Sequence, residues 1–341
     1  PSRIRRGRVT TNSPRMNKIL VIQTAFIGDV ILATPLVEAL HQAFPEATID
    51  FLLRKGNEGL LVDHPYLRRA IVWNKKEEKL KNQLRIIREL RKEHYDVAIN
   101  LQRFLSTGIF TVLSGANTRI GFRKNPLSRF FTHRIDHEIG TGKHEVERNL
   151  ELLKPITGST EWKKRPALYP SDKDFAAVEK LKVGKYVCIA PTSVWFTKQW
   201  PAEKWEELIE TIASDTKVYL LGGPPDALAC SSIASKFPTK VENLAGKLNF
   251  LESAALMKDA AMNYVNDSAP MHIASAMNAP TTAIFCSTVP SFGFGPLSDS
   301  SRVVEVTETL PCRPCGLHGY KACPEGHFKC ALNIIIKQVN S

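Results

Sequence analysis

The chain has 341 residues, a formal charge of +12, 43% apolar residues and seven cysteines; this is too long for one ordinary core and suits two domains of about 150 residues each. The sequence contains no apolar run of the roughly 18 residues that a bilayer-crossing helix needs, so none is expected. The positive charge is lopsided, +13 before residue 166 and −1 after it, a field that attracts nucleic acid, an acidic membrane surface or a phosphorylated substrate unless it is merely a solvated face.

Residues 1–15 are basic and polar without an apolar stretch, so they predict a disordered arm rather than a secretory signal, with Met16 as the natural start. A strand is predicted over 18–23, a loop over 24–29 and an amphipathic helix over 30–44, which Pro35 should kink or make start later. Further strands are predicted at 47–53, 97–101 and 119–122. The helix expected over 77–94 has an apolar stripe of Leu80, Leu84, Ile87 and Leu90. Helices at 104–113 and 144–153 complete the half, and 155–170, with its prolines, reads as a linker. The second half repeats the alternation, with strands at 186–190, 217–221, 262–265 and 281–285 and helices at 202–214, 225–235 and 250–259. Such alternation implies parallel sheets covered on both faces, with ligands at the carboxyl ends of the strands. The expected domains are 16–160 and 161–341, and the last apolar segment, 332–339, is expected to pack back across the cleft between them.

The first strand–helix loop, Thr24 to Val30, holds one glycine, Gly28, where a dinucleotide fold carries three. That argues against a dehydrogenase. Asp29 either caps the following helix or acts as a general base at a strand end, and the two roles are compatible. In the second half, Asn266-Asp267-Ser268 and Pro270 open a short helix between two strands, a place where free backbone amides and the macrodipole suit a phosphate. The plain alternative is a structural cap with His272 as filler. Thr192, Ser193 and Lys198 follow another strand and can join that site, although Lys198 alone reads as a surface lysine. Gly222-Gly223 is either a close approach to a ligand or a tight turn. Asp172 and Asp174 suit the start of a helix and are rejected as a metal pair.

Cys312, Cys315, Cys323 and Cys330 cluster near the end with His318 and His327. Reduced packing thiols rank first for them, structural zinc second and disulfides last, because the spacing is only loosely zinc-like.

Gly28-Asp29-Val30 with Thr34-Pro35, Arg119-Ile120-Gly121-Phe122, Lys198-x-Trp200-Pro201, Gly222-Gly223-Pro224 and Asn266-Asp267-Ser268-x-Pro270-Met271-His272 resemble, in order, the ADP-heptose:lipopolysaccharide heptosyltransferases of glycosyltransferase family 9. The resemblance spans residues 18–336. It implies an α/β protein of GT-B architecture, two Rossmann-like doubly wound domains facing across a cleft. The C-terminal domain would hold the nucleotide-sugar donor and the N-terminal one the acceptor, with inversion and no catalytic metal. Asp29 falls on the family's catalytic-base position. Thr192, Ser193, Lys198, Asp267, Ser268, Ala269 and His272 fall on donor positions, and Leu248, by spacing, where backbone meets adenine. Ala269 departs from the family's usual glycine, and a positive φ there would strain it. Arg103, Arg119 and Arg123, in the basic half, are assigned to the phosphorylated lipopolysaccharide core. The expected protein is a monomeric, cytoplasmic enzyme peripheral to the anionic inner-membrane surface, binding no nucleic acid. Its rivals are a nucleotide-sugar epimerase of the same architecture, a related transferase with another donor sugar, and a non-enzymatic RNA or lipid binder.

Overall fold

A computed structural model describes residues 16–340; the expected arm over 1–15 lies outside the described residues. Among the described residues, twelve strands form two sheets. The first half holds β1 (Lys18–Ile22), β2 (Thr48–Arg54), β3 (Leu67–Trp73), β4 (Val97–Asn100), β5 (Thr118–Phe122) and β6 (His133–Ile135). The second holds β7 (Tyr186–Ala190), β8 (Lys217–Leu220), β9 (Val241–Asn243), β10 (Asn263–Asn266), β11 (Thr281–Phe285) and β12 (Ser301–Glu305). The orders are β3-β2-β1-β4-β5-β6 and β12-β11-β10-β7-β8-β9, parallel throughout. Each therefore repeats the doubly wound order, with its crevice where the winding reverses, beside β1 and β7.

The helices of the first half are α1 (Ile27–Ile31), α2 (Thr34–Ala43), α3 (Lys79–Glu93), α4 (Leu105–Leu113), α5 (Glu145–Glu151) and α6 (Lys154–Thr157). Those of the second are α7 (Asp172–Val178), α8 (Ala202–Thr211), α9 (Ala227–Ser235), α10 (Phe250–Lys258), α11 (Ala269–Ala276), α12 (Lys329–Leu332) and α13 (Ile336–Asn340). The single helix expected over 30–44 is two. Pro35 lacks the N–H that a continuous helix would use, so α2 restarts with proline in its first turn, and Leu32 and Ala33 form the break. One apolar core runs through both lobes, because α1 packs on α11 and joins Val30 and Ile31 to Met271 and Ala274.

Four strands escaped the periodicity reading. β6 and β9 have only three residues each, and β12 keeps a single buried side chain. The apolar pattern of β3 is interrupted by Arg68 and Arg69, whose guanidinium groups bind the buried Asp50 carboxylate on β2. The expected stripe on α3 is also revised. Leu80 and Leu84 point to solvent, while Gln83, Ile86, Ile87 and Leu90 are buried. The last segment does not cross the cleft: Ile334 and Val339 are buried in the second lobe's own core, and Asn340 Nδ2 donates to Thr211 Oγ1 at 2.9 Å on α8.

Candidate active site

The site is built where the carboxyl ends of β1 and β10 face each other. After β1 the chain turns through Thr24 and enters α1 at Ile27, three residues before the start expected at Val30, which puts Gly28 and Asp29 in the first helical turn. Asp29 is therefore not the N-cap; Phe26 holds that position without a side-chain cap. The glycine is needed because a Cβ at Gly28 would lie 2.9 Å from Cδ2 of His272 on α11. Burial, and after it the nearby charge of Glu145, push the Asp29 carboxyl up to about 6 against the backbone amides of Phe26 and Asp29 and the Arg54 guanidinium.

Across the cleft, β10 ends at Asn266 and α11 starts at Ala269. Ser268 stands at the cap position but its side chain makes no capping bond, so the amides at this helix start have no side chain seated on them. Ala269 is not among the residues of positive φ, so the strain that alanine was expected to bring there does not arise. Asp267, with its side chain only 6% exposed, accepts from Lys198 Nζ and from Thr288 Oγ1, each at 2.6 Å. Its carboxylate holds the Lys198 ammonium at the cavity wall. Lys198 is set in turn by Trp200, whose amide donates to Asn266 Oδ1 at 3.0 Å and whose indole donates to the Ala331 carbonyl at 3.2 Å.

A cavity of about 320 Å³ joins the two sides. Phe26, Gly28, Asp29 and Arg54 line it from the first lobe, and Ser193, Lys198, Asp267, Ser268, Ala269 and His272 from the second. His272 is held neutral, pushed down to about 3 by burial and by His144 and Lys198, and its Nδ1 has no protein partner. Thr192 and Leu248 do not line the cavity; Leu248 packs against the core just before α10. Arg103 lies near enough to His318 at the cavity wall to help hold that imidazole's affinity for protons down, after burial and Lys198. Arg123 pairs on the surface with Asp136 at 2.7 Å. Arg119 requires a correction: it sits at the amino end of β5, away from the cleft, and donates to the Ala116 and Phe130 carbonyls.

The sequence reading missed the roof and the back wall. The Cys-rich tail folds over Lys198: the Tyr320 amide donates to Thr197 Oγ1 at 2.7 Å, the Cys315 amide to the Ser287 carbonyl at 2.8 Å, and Leu317 and His318 enter the cavity wall. All seven cysteines are free thiols. Among the described residues no group of three or more potential ligands is arranged for a metal ion, so the zinc alternative has no ligand set there. The back wall is Phe292 and Phe294, on a loop of the second lobe latched to α5. Glu145 N–H donates to the Gly293 carbonyl at 2.7 Å, Arg148 to the Phe292 carbonyl at 2.9 Å, and His144 Nε2 lies 3.0 Å from the Gly295 carbonyl. Burial pulls the Glu145 carboxyl upward, but His137 and Arg148 outweigh it and hold the group ionised next to Asp29.

Gly293 makes that latch possible. Its φ is +90°, and a Cβ there would meet the Lys143 carbonyl at 2.3 Å and the Arg148 guanidinium at 2.8 Å. Gly293→Ala is expected to cost roughly 2–4 kcal/mol through backbone strain and overpacking. Thermal unfolding with and without ADP checks it, and an unchanged melting point would mean that the latch does not hold the wall.

Two doubly wound lobes that turn their carboxyl edges on one cavity, with an acid on one side and a lysine beside an uncapped helix start on the other, make up the GT-B architecture of a glycosyltransferase. Residues 83–320 match the family described as glycosyltransferase family 9 (heptosyltransferase). The chain is 33% identical over 284 residues to lipopolysaccharide heptosyltransferase 3 of Escherichia coli, covering 77% of this chain and 82% of that one. Among solved structures, the family 9 glycosyltransferase of Veillonella parvula superposes with a TM-score of 0.78 at 21% identity, covering 86% of this chain and 88% of that one. The E. coli ADP-heptose lps heptosyltransferase II gives 0.75 at 23%, covering 95% and 100%. The chain belongs to glycosyltransferase family 9.

Proposed function

We propose that the protein transfers a heptose from ADP-heptose to the inner core of lipopolysaccharide, on a lipid A–Kdo or already heptosylated acceptor. The observation that carries the reading is the facing pair in one cavity, Asp29 on the first lobe and Lys198 beside the start of α11 on the second. The diphosphate of the donor sits at the amides of Ser268 and Ala269 and against Lys198. The sugar's anomeric carbon then points at the first lobe. As the acceptor hydroxyl attacks, its proton passes to the Asp29 carboxylate, the new glycosidic bond forms, and the bond to the diphosphate oxygen breaks. Charge grows on the departing phosphate, where Lys198 and the helix dipole stabilise it without rearrangement. Attack from the side opposite the leaving group inverts the anomeric centre.

Arg103 serves the acceptor phosphates at the cleft mouth, and the positive first half holds the enzyme at the cytoplasmic face of an anionic membrane. It works as a monomer. The name of the E. coli relative supports the donor and acceptor classes. An assay with ADP-heptose and a deacylated, Kdo-bearing core tests the reading. ADP release is expected only when both substrates are present. Equal turnover of the donor without acceptor would instead mark an epimerase or a hydrolase.

A further inference from the structure

The transfer chemistry leaves one feature of the first lobe unused. α3 and α4 follow the carboxyl ends of β3 and β4, so both helices start at the sheet edge that faces the cleft. At those starts Leu80 is 74% exposed, Leu84 53%, Phe104 61% and Leu105 53%. The two helices meet over a shallow groove lined by Leu80, Leu105 and Ile109, with Gln83 and Ser106 between them. Single exposed leucines are ordinary, but four large apolar side chains on two adjoining helix starts form a patch.

The surroundings of the patch say what it meets. On the outer face of α3, Lys81, Arg85 and Arg88 follow one another at helical spacing around Leu84, all exposed. Among the described residues Lys81 pairs with the exposed Glu78, and Arg85 reaches Glu89 at a loose 3.6 Å; surface pairs of this kind contribute little and leave the cations available to a stronger anionic field. Leucines flanked by exposed cations on a helix surface are the pattern of an interfacial helix, in which apolar side chains enter the acyl boundary while the basic ones meet anionic headgroups. A second copy of this chain would bring the same positive charge to the patch, and a neutral apolar partner would leave the cations unmatched.

We infer that the α3–α4 corner beds onto an anionic bilayer, with Leu80, Leu84, Phe104 and Leu105 inserted and the basic face of α3 on the headgroups. Arg103 directly precedes this patch in the chain, so docking holds the cleft mouth at the membrane surface, where a lipid-linked acceptor presents its sugar. The inference rests on the reading of the acceptor as a membrane glycolipid and adds the surface that reaches it.

The test is flotation of the full chain with vesicles of phosphatidylethanolamine and 30% phosphatidylglycerol, against phosphatidylcholine alone. The parent is expected to bind the anionic vesicles, and less so as salt is raised. Leu80→Ser/Leu84→Ser/Leu105→Ser is expected to lose at least tenfold in binding, and Arg85→Glu/Arg88→Glu at least fivefold, each with an unaltered melting point and unaltered turnover of a deacylated, water-soluble acceptor. Turnover of acceptor embedded in anionic vesicles should fall with binding. Vesicle binding by the leucine variant equal to the parent's would overturn the inference. So would a parent dimer that becomes monomeric in that variant while vesicle binding persists, since the patch would then belong to a second copy. If no acceptor is turned over by any form, yet vesicle binding still depends on the patch, the transfer reading fails and the docking surface stands.

Discussion

Asp29→Asn is expected to lower turnover by about 10²–10⁴ while leaving ADP affinity within a factor of two or three, because the amide cannot take the acceptor's proton and the donor contacts lie on the other lobe. The same variant should be more stable than the parent. The folded protein raises the Asp29 carboxyl from its ordinary range to about 6, so the ionised form is carried at a cost in the native state. Below about pH 4 the carboxyl is protonated in both folded and unfolded chains and that cost is absent. It grows as pH rises from about 4 through 6 and stays level above. Asparagine removes it, so its advantage should be near zero at pH 4 and about 1–3 kcal/mol above pH 6. In the parent, kcat/KM for the acceptor should climb with a midpoint near pH 6, as the base loses its proton, and then hold level. Melting curves and rates between pH 4 and 8 check both statements. An active variant would remove Asp29 from the base position, and an advantage over the parent no larger at pH 7 than at pH 4 would show that the carboxyl is not carried ionised at a cost.

Lys198→Ala has the second large effect, and it divides into two parts. The lysine is the near-buried partner of Asp267 at 2.6 Å, so its loss leaves that carboxylate with Thr288 alone, and destabilisation of about 3–5 kcal/mol is expected. It also withdraws the one cation of the pair from the leaving diphosphate and uncovers a negative charge there, so ADP affinity should fall roughly a hundredfold. The double variant Lys198→Ala/Asp267→Asn separates the parts. It should recover most of the stability, because no buried charge remains unpaired, but not the ADP affinity. Calorimetric titration and thermal unfolding of the parent and the two variants decide the matter. Parent-like ADP binding by the double variant would show that the diphosphate does not rest on this lysine.

Much of this was readable from the chain because the central strands are buried over most of their length. β1, β4, β7 and β11 are short, largely apolar runs, and Pro35 and Pro270 mark two of the helices that follow. The strand-end rule singled out Asp29, Lys198 and the start of α11 without any knowledge of distance. What failed was whatever depends on the partner surface. β3 packs Ile71 and Trp73 into a core, but near its start Arg68 and Arg69 bind Asp50, and those arginines concealed it. Arg119 sits in a family-like motif, yet its place at the amino end of β5 turns it from the cleft. Phe292, Phe294 and His318 come from segments far from the motifs, and only folding lays them on the cavity. Arg54 was within reach of the sequence, since it ends β2 on the same edge as Asp29.

A structure of the complex with ADP tests the central claim most directly. The terminal phosphate should lie within hydrogen-bonding distance of Lys198 Nζ and of the amides that open α11, with open space between it and the Asp29 carboxyl for a sugar. Phosphates bound along the first lobe, or a nucleotide lying with its diphosphate away from α11, would contradict the account.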